Sequence, residues 1–164
     1  MPDSLIIAKA VGIVVPAWLA GNIGAYSLVS APAILTAVHK NNVSISHALQ
    51  VWAHLYDAGH AQNPPIAFAA AASLGFCAWT TGDRRFWWSS AATIGIVPFT
   101  LLFMQKTLDR IFELARKADK EALATKEAEE AEKLLHRWVW HNGVRSLFPL
   151  VGSIITATAI FNYF

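Results

Sequence analysis

The charge of this chain is gathered into one stretch, and this pattern limits its folds more than any other feature. Most of the Asp, Glu, Lys and Arg residues lie between positions 106 and 137, and the long apolar stretches on either side contain almost none. Only 15% of the residues are charged, whereas a soluble domain usually has about a quarter of its residues charged. An apolar stretch of about 20 residues can cross the hydrocarbon core of a membrane as a helix. The pattern therefore predicts an all-α integral membrane protein.

The apolar stretches divide the chain into spans. We expect a single membrane domain, residues 1–164, with four transmembrane helices at about residues 5–29, 66–81, 86–104 and 138–161. The first stretch lacks the basic region of a secretory signal peptide and continues too far, so we interpret it as a retained span. The predicted fold is a four-transmembrane-helix bundle.

Two helical segments are predicted outside the spans. Residues 44–59 are too polar to cross a bilayer; Ser44 or Ser46 suits the start of a helix and Gly59 suits its end. We expect an interfacial helix whose aromatic face is turned towards the bundle. Residues 106–135 contain no Gly or Pro and are rich in Ala, Leu, Glu and Lys, which favours a long charged helical hairpin between spans three and four. A solvated connection is one interpretation of this hairpin, and a docking arm for a partner is the other.

A polar stripe begins the last span. Trp138, His141, Asn142 and Arg145 have the spacing i, i+3, i+4 and i+7, which places them on one helical face. Polar groups in hydrocarbon cost several kcal/mol unless they are partnered. The stripe is therefore predicted to face a cavity in the bundle. Two simpler interpretations remain, since Trp138 suits the membrane interface and Arg145 can extend back to the headgroups.

Composition excludes several classes of protein. A formal net charge of +2 with mixed signs gives no indication of nucleic-acid binding. A lone Cys77 excludes a disulfide framework, a cysteine zinc cluster and a Cys-x-x-Cys oxidoreductase. His54 with His60, together with His136 and His141, could supply four imidazoles for copper or iron, but neither pair has the i, i+4 spacing of helical metal ligands. No metal site is predicted, and copper or iron on histidines is the alternative.

Four short motifs occur in order along the chain. They are residues 24–32 with Ser27 and Ser30, Trp52-x3-Tyr56-x2-Gly59-x4-Pro64, residues 98–104 (PFTLLFM) and residues 140–149 (WHNGVRSLFP). Together with the four spans, these motifs resemble the anthrone oxygenase-like membrane proteins of fungal polyketide pathways. The resemblance covers nearly the whole chain except the charged hairpin. One departure follows the third motif: family members often carry Pro-Thr-Asn, whereas this chain reads Lys106-Thr107-Leu108. If the missing amide contacts substrate in relatives, we expect this protein to accept a different molecule or to have a different function.

The resemblance implies oxidation of an anthrone to an anthraquinone by molecular oxygen. An anthrone that loses a proton becomes an electron-rich anthrolate, which can reduce oxygen directly, so no redox cofactor is expected. Such a site needs a base, a cation for the oxyanion and a flat apolar slot. His141 is the expected base, with His60 as the alternative, while Arg145 holds the oxyanion and Asn142 orients it. The expected substrate-binding residues are Trp52, Tyr56, His60, Trp140, Asn22 and Thr107.

Several alternatives stay open at this point. A non-catalytic carrier for a small aromatic or lipid-like molecule could use the same slot, and a structural subunit that docks a partner through the hairpin is a third reading. Asn22 also suits a simple interhelical hydrogen bond. The expected partners are the lipid bilayer and a small aromatic substrate, and a homo-oligomer is left open. A fungal protein of this kind would reside in the endoplasmic reticulum, and a bacterial one in the plasma membrane.

Overall fold

Helices account for every regular element within residues 3–161, the part of the chain that the computed structural model describes. The elements in chain order are α1 (Asp3–Ala25), the π-helical turn π1 (Tyr26–Ser30), α2 (Ala31–Asn41), α3 (Ile45–Thr81), α4 (Arg84–Ile94), α5 (Ile96–Phe99), the π-helical turn π2 (Thr100–Met104), α6 (Gln105–Ala118) and α7 (Thr125–Phe161). Because several elements follow one another directly, they form four long rods: Asp3–Asn41, Ile45–Thr81, Arg84–Ala118 and Thr125–Phe161. The predicted all-α class is confirmed.

The four rods pack side by side in a ring. α1 and α4 each contact both α3 and α7. Short connections at residues 42–44, 82–83 and 119–124 join consecutive rods, so that sequence neighbours run antiparallel. Small residues allow the rods to pack closely. A Cβ atom on Gly152 of α7, for example, would lie only 3.0 Å from the carbonyl oxygen of Ser89 in α4.

Three of the rods are long and apolar enough to cross a membrane: Asp3–Asn41, Arg84–Ala118 and Thr125–Phe161. Their outer faces carry large apolar side chains, and Leu28 and Leu102 are 80% and 76% exposed. Soluble monomers rarely expose contiguous apolar surface of this kind. The rods are therefore compatible with a multi-pass membrane protein.

The second rod differs from the prediction. An interfacial helix at 44–59 and a short span at 66–81 were expected as separate elements, but α3 runs from Ile45 to Thr81 without a break. Ser44 caps its start by accepting a hydrogen bond from the backbone N–H of His47, and Gly82, at φ +72°, ends it. Gly59 does not end a helix. It is buried inside α3, where its missing side chain lets the ring of Tyr26 approach.

The charged segment predicted at 106–135 forms α6 and the first part of α7, joined through residues 119–124. Arg110 donates two hydrogen bonds to Glu130, at 2.8 and 2.7 Å. Lys117 donates to Glu127 at 2.6 Å. Ion pairs between exposed side chains contribute little to stability, so the apolar contacts between α6 and α7 carry most of the association. These contacts include the buried residues Ile111, Leu114, Ala131 and Leu135.

Candidate active site

An aromatic cluster lies where α3, α6 and α7 meet. Trp52 stacks on Tyr56 with ring centroids 5.4 Å apart, and it meets Trp138 edge to face at 5.3 Å. Phe112 closes the cluster with centroids 5.4 Å from Trp52 and 5.3 Å from Tyr56. Trp52 is only 1% exposed. Trp52 and Tyr56, which were predicted to bind the substrate, are therefore packed against neighbouring rings, and a flat substrate has no room between Trp52 and Trp138.

The open space lies one to two turns further along α3. A cavity of about 400 Å³ separates the middle of α3 from α5 and π2. It is lined by Gly59, His60, Ala61, Asn63, Pro64, Pro65, Phe68, Ile96, Val97, Thr100, Leu101 and Arg145. This volume lies within the range of small-molecule sites, which combine apolar walls with a few polar groups. The polar side chains here are those of His60, Asn63, Thr100 and Arg145.

Two adjacent prolines shape the wall that α3 contributes. Proline has no N–H group, so Pro64 and Pro65 leave the carbonyl groups of His60 and Ala61 without the donors that a regular helix would supply. All four residues line the cavity. The wall therefore offers backbone carbonyl acceptors as well as side chains. A helix without these two prolines would use those carbonyls in its own hydrogen bonds.

Arg145 brings a positive charge to the cavity. Its Nη1 atom donates a hydrogen bond to the Thr100 hydroxyl at 3.1 Å, while its Nε atom is buried without a partner. None of the salt bridges between residues 3 and 161 includes Arg145. A cation without a carboxylate partner is expensive inside an apolar bundle. An anionic ligand would relieve that cost, since a guanidinium binds oxyanions well.

Asn142 anchors the last rod to the first. It is fully buried, and its Nδ2 group donates to the carbonyl of Ile23 at 2.9 Å and to the hydroxyl of Ser27 at 2.8 Å. Its Oδ1 atom is buried without a partner. Both donor hydrogens are thus committed to the first rod, and orientation of the substrate oxyanion by Asn142 stays a prediction.

Asn63 is a site residue that the sequence analysis missed. It is 3% exposed, accepts a hydrogen bond from Asn22 Nδ2 at 2.8 Å, and has a buried Nδ2 group without a partner. It lines the cavity beside Arg145. The signal was present, because the aromatic face that includes Tyr56 and His60 continues to position 63 at the next i+3 step.

A narrow cleft of about 10 Å³ connects the polar residues with the aromatic cluster. Its lining includes Tyr56, Asn63, Trp138, Asn142 and Arg145. The last four each carry a buried polar atom without a protein partner. A space of this size fits about one water-sized molecule, which needs two to four polar partners to be held in place.

The structure places His60 at the cavity and His141 outside it. His60 lines both the cavity and the narrow cleft, and its ring stacks on Tyr56 with centroids 5.7 Å apart. His141 lines neither space, and its Nδ1 atom is buried without a partner. Of the predicted stripe on α7, the structure brings Trp138, Asn142 and Arg145 together and turns His141 to the edge.

Two predicted contact residues lie away from the cavity. Trp140 is 71% exposed and lines neither space. It follows Trp138 by two positions, which turns it by about 200° around the helix and away from the aromatic cluster. Thr107 is buried in α6 and also lines neither space. Asn22 reaches the site only through Asn63.

Similarity to known proteins extends over most of the chain. The family model described as anthrone oxygenase matches residues 52–155. The anthrone oxygenase encC of Aspergillus fumigatus is 35% identical over 91% of this chain and 90% of its own length. The anthrone oxygenase gedH of Aspergillus terreus is 33% identical over 82% of this chain and 86% of its own length. The chain belongs to the anthrone oxygenase family.

Other matches of this anthrone oxygenase family member are more limited. The noranthrone monooxygenase of Aspergillus flavus is 32% identical over 63% of this chain and 51% of its own length. No solved structure matches the chain.

The four motifs that resemble the anthrone oxygenases meet around one point of the fold. Ser27 of the first motif accepts from Asn142 of the fourth, and Thr100 of the third accepts from Arg145 of the fourth. Gly59 of the second motif lines both the cavity and the cleft. The departure at Lys106-Thr107-Leu108 lies outside the linings of the cavity and the cleft.

Proposed function

We propose that this protein is a membrane-embedded oxygenase that converts an anthrone-type polycyclic aromatic into an anthraquinone with molecular oxygen. The observation that carries the proposal is Arg145, a cation without a carboxylate partner at the end of a cavity of about 400 Å³ with largely apolar walls. An anthrolate is a flat apolar anion and matches both properties. The printed names of the relatives, anthrone oxygenase and noranthrone monooxygenase, support the same reaction.

The reaction needs a base first. His60 takes this role because it lies at the cavity, and an imidazole is the side chain that most often accepts protons in general acid–base catalysis. Removal of one proton from the methylene carbon of the anthrone gives the anthrolate. Arg145 stabilises the negative oxygen through its guanidinium. The carbonyl groups of His60 and Ala61 can accept hydrogen bonds from phenolic hydroxyls of the substrate.

Oxygen then reacts with the deprotonated substrate. One electron passes from the anthrolate to oxygen, and the resulting superoxide and substrate radical combine at the former methylene carbon. With one proton returned, this gives a hydroperoxide, which loses water as the second carbonyl forms. One anthrone and one oxygen molecule thus yield one anthraquinone and one water. The protein's residues bind, deprotonate and orient the substrate, and the substrate itself supplies the electrons.

Four membrane spans are part of this proposal. The apolar second half of α3, residues 66–81, would cross the membrane between α1 and α4, both of which it contacts. The more polar first half would then lie near the headgroups, together with the charged hairpin. Residence of the protein in the endoplasmic reticulum and an oxidation step that needs no metal are expectations of the same kind.

The decisive test is turnover of emodin anthrone by enriched membranes under oxygen, followed by quinone absorbance. Arg145→Leu should remove activity above the spontaneous background, and Arg145→Lys should retain part of it because the positive charge stays. Expression must be equal in all samples. If the wild-type protein binds the anthrone but does not accelerate its oxidation, the carrier function replaces the oxygenase. Full activity of Arg145→Leu would contradict the role given to this residue.

A further inference from the structure

A second group of side chains lies outside the proposed active site. His39, Glu132 and His136 each offer one ligand atom, and these atoms lie within 4.8 Å of one another. Glu132 Oε1 is 3.1 Å from His39 Nε2 and 3.9 Å from His136 Nε2. None of the three residues lines the cavity or the cleft beside Arg145. His136 thus lies beside His39 and Glu132, whereas its spacing in the sequence had suggested His141 as a companion ligand.

Two helices, α2 and α7, supply the three side chains. Glu132 and His136 are four residues apart on α7 and therefore share one face. His39 lies in the last turn of α2. Close by in sequence, Leu35 of α2 and Leu135 of α7 belong to the same buried apolar cluster. Apolar packing thus holds the two helices together, so the three ligand groups are brought near one another independently of their own interaction.

We propose that His39, Glu132 and His136 bind one zinc ion. Two imidazoles and a carboxylate are a ligand set that zinc uses, whereas magnesium and calcium prefer oxygen ligands. Tetrahedral ligands at about 2.0–2.1 Å from zinc lie about 3.3 Å from each other. The observed separations of 3.1 and 3.9 Å are close to that value. The side chains are also partly exposed, so the ion can enter from solvent and keep water as a fourth ligand.

The ion would stabilise the bundle. It would link His39 of α2 to Glu132 and His136 of α7, which are far apart in the sequence. This link lies beside the apolar cluster that contains Trp52 and Trp138. A ligand that binds the folded chain and not the unfolded one stabilises the fold, and the stabilisation grows with the logarithm of the free ligand concentration above Kd. Because the three residues lie outside the cavity, the proposed oxidation does not pass through the ion.

The test uses the full chain purified without a histidine tag, stripped with a chelator, and titrated with zinc alone. Calorimetry and elemental analysis should give one zinc ion per chain. His39→Ala and Glu132→Gln should each weaken zinc affinity at least about tenfold, since loss of an outer-shell partner alone weakens metal sites by about that much. Zinc should raise the melting temperature of the wild-type protein and not of these variants. His54→Ala, which removes an exposed histidine of α3, is the matched control and should bind zinc like the wild type.

Either of two results would overturn the proposal: no stoichiometric zinc binding by the wild-type chain, or equal affinity in wild type, His39→Ala and Glu132→Gln. In both cases the three side chains are only neighbours on the surface and hold no metal ion. Glu132→Gln keeps the size of the side chain and preserves the fold, and helix content by circular dichroism checks this for every variant. Emodin anthrone turnover is a separate measurement, so failure of the zinc site and failure of the oxygenase can be told apart.

Discussion

At the scale of single residues, hydroxyl groups on neighbouring helices hold the polar side chains of α7. Ser27 accepts from Asn142 and Thr100 accepts from Arg145. These neutral acceptors fix the two side chains without neutralising the guanidinium. The guanidinium of Arg145 is therefore available to an anionic ligand, whereas a carboxylate partner would already occupy it.

Asn63 is expected to act in the site as well as between helices. Asn63→Leu should lower kcat/KM at least about tenfold, corresponding to about 1.4 kcal/mol, because the amide beside Arg145 is lost. Asn22→Leu is the matched control, since it breaks the same Asn22–Asn63 hydrogen bond and leaves the Asn63 amide in the cavity. Kinetic assays on membranes with equal expression provide the measurement. Equal losses of kcat/KM in both variants would mean that Asn63 acts only through its hydrogen bond between helices.

The choice of base is tested by a pair of histidines. His60→Ala should lower kcat about 100-fold, within the range for loss of a general base, while His141→Ala should leave turnover unchanged because His141 lines neither space. The assay is initial rate against pH, with the non-enzymatic rate subtracted. Loss of activity in His141→Ala alone would restore the original sequence-based assignment.

At the scale of elements, both π turns lie at the site. π1 contains Ser27 and π2 begins with Thr100, and these are the acceptors for Asn142 and Arg145. Pro32 follows π1, and because it has no N–H group the regular hydrogen-bond pattern cannot continue through it. In π1 the backbone N–H of Ala31 instead donates to the carbonyl of Tyr26. Such turns are common at functional sites, and here they place the two hydroxyl groups.

Close packing of α4 against α7 gives a prediction about stability. Gly152→Ala should destabilise the protein by about 1–3 kcal/mol, because the new Cβ atom would overlap Thr93 and crowd the Ser89 carbonyl. Gly21→Ala is the matched control, since nothing lies within 4 Å of its Cβ position. That change should be neutral or stabilise α1 by up to about 1 kcal/mol. The measurement is the melting temperature of each variant in one detergent. An unchanged melting temperature for Gly152→Ala would contradict the close contact between α4 and α7.

At the scale of the whole molecule, the ring of rods places two connections at one end. Gln50, near the start of α3, donates a hydrogen bond to Asp119 at 3.4 Å, and His39 contacts Glu132. The connection at 42–44 and the tip of the charged hairpin therefore share one end of the bundle, and residues 82–83 lie at the other.

This arrangement predicts the membrane topology. In a Cys77→Ala background, Val43→Cys and Lys120→Cys should react alike with an impermeant thiol reagent in sealed vesicles. Arg84→Cys should show the opposite accessibility, because one rod separates it from Val43 and another separates it from Lys120. Labelling after permeabilisation confirms that each cysteine can react. Arg84→Cys and Lys120→Cys reacting from the same side would exclude a membrane crossing by the third rod.

The all-α class of this protein could be predicted from local sequence patterns. Long apolar runs and the concentration of charge predict apolar helices, since both properties depend only on residues close in sequence. The same holds for the face shared by Trp138, Asn142 and Arg145, which follows from the helical period. The family motifs likewise identified the family, because their residues are adjacent along the chain.

Tertiary structure decided where the open space lies. Sequence spacing gives the relative angle of side chains on one helix, but not how that helix is rotated against its neighbours. The packing of α3, α6 and α7 closes Trp52 onto Trp138 and exposes Trp140. It also places His60 and Asn63 at the cavity beside Arg145 and leaves His141 outside. These outcomes depend on contacts between residues far apart in the chain, and no local pattern encodes them.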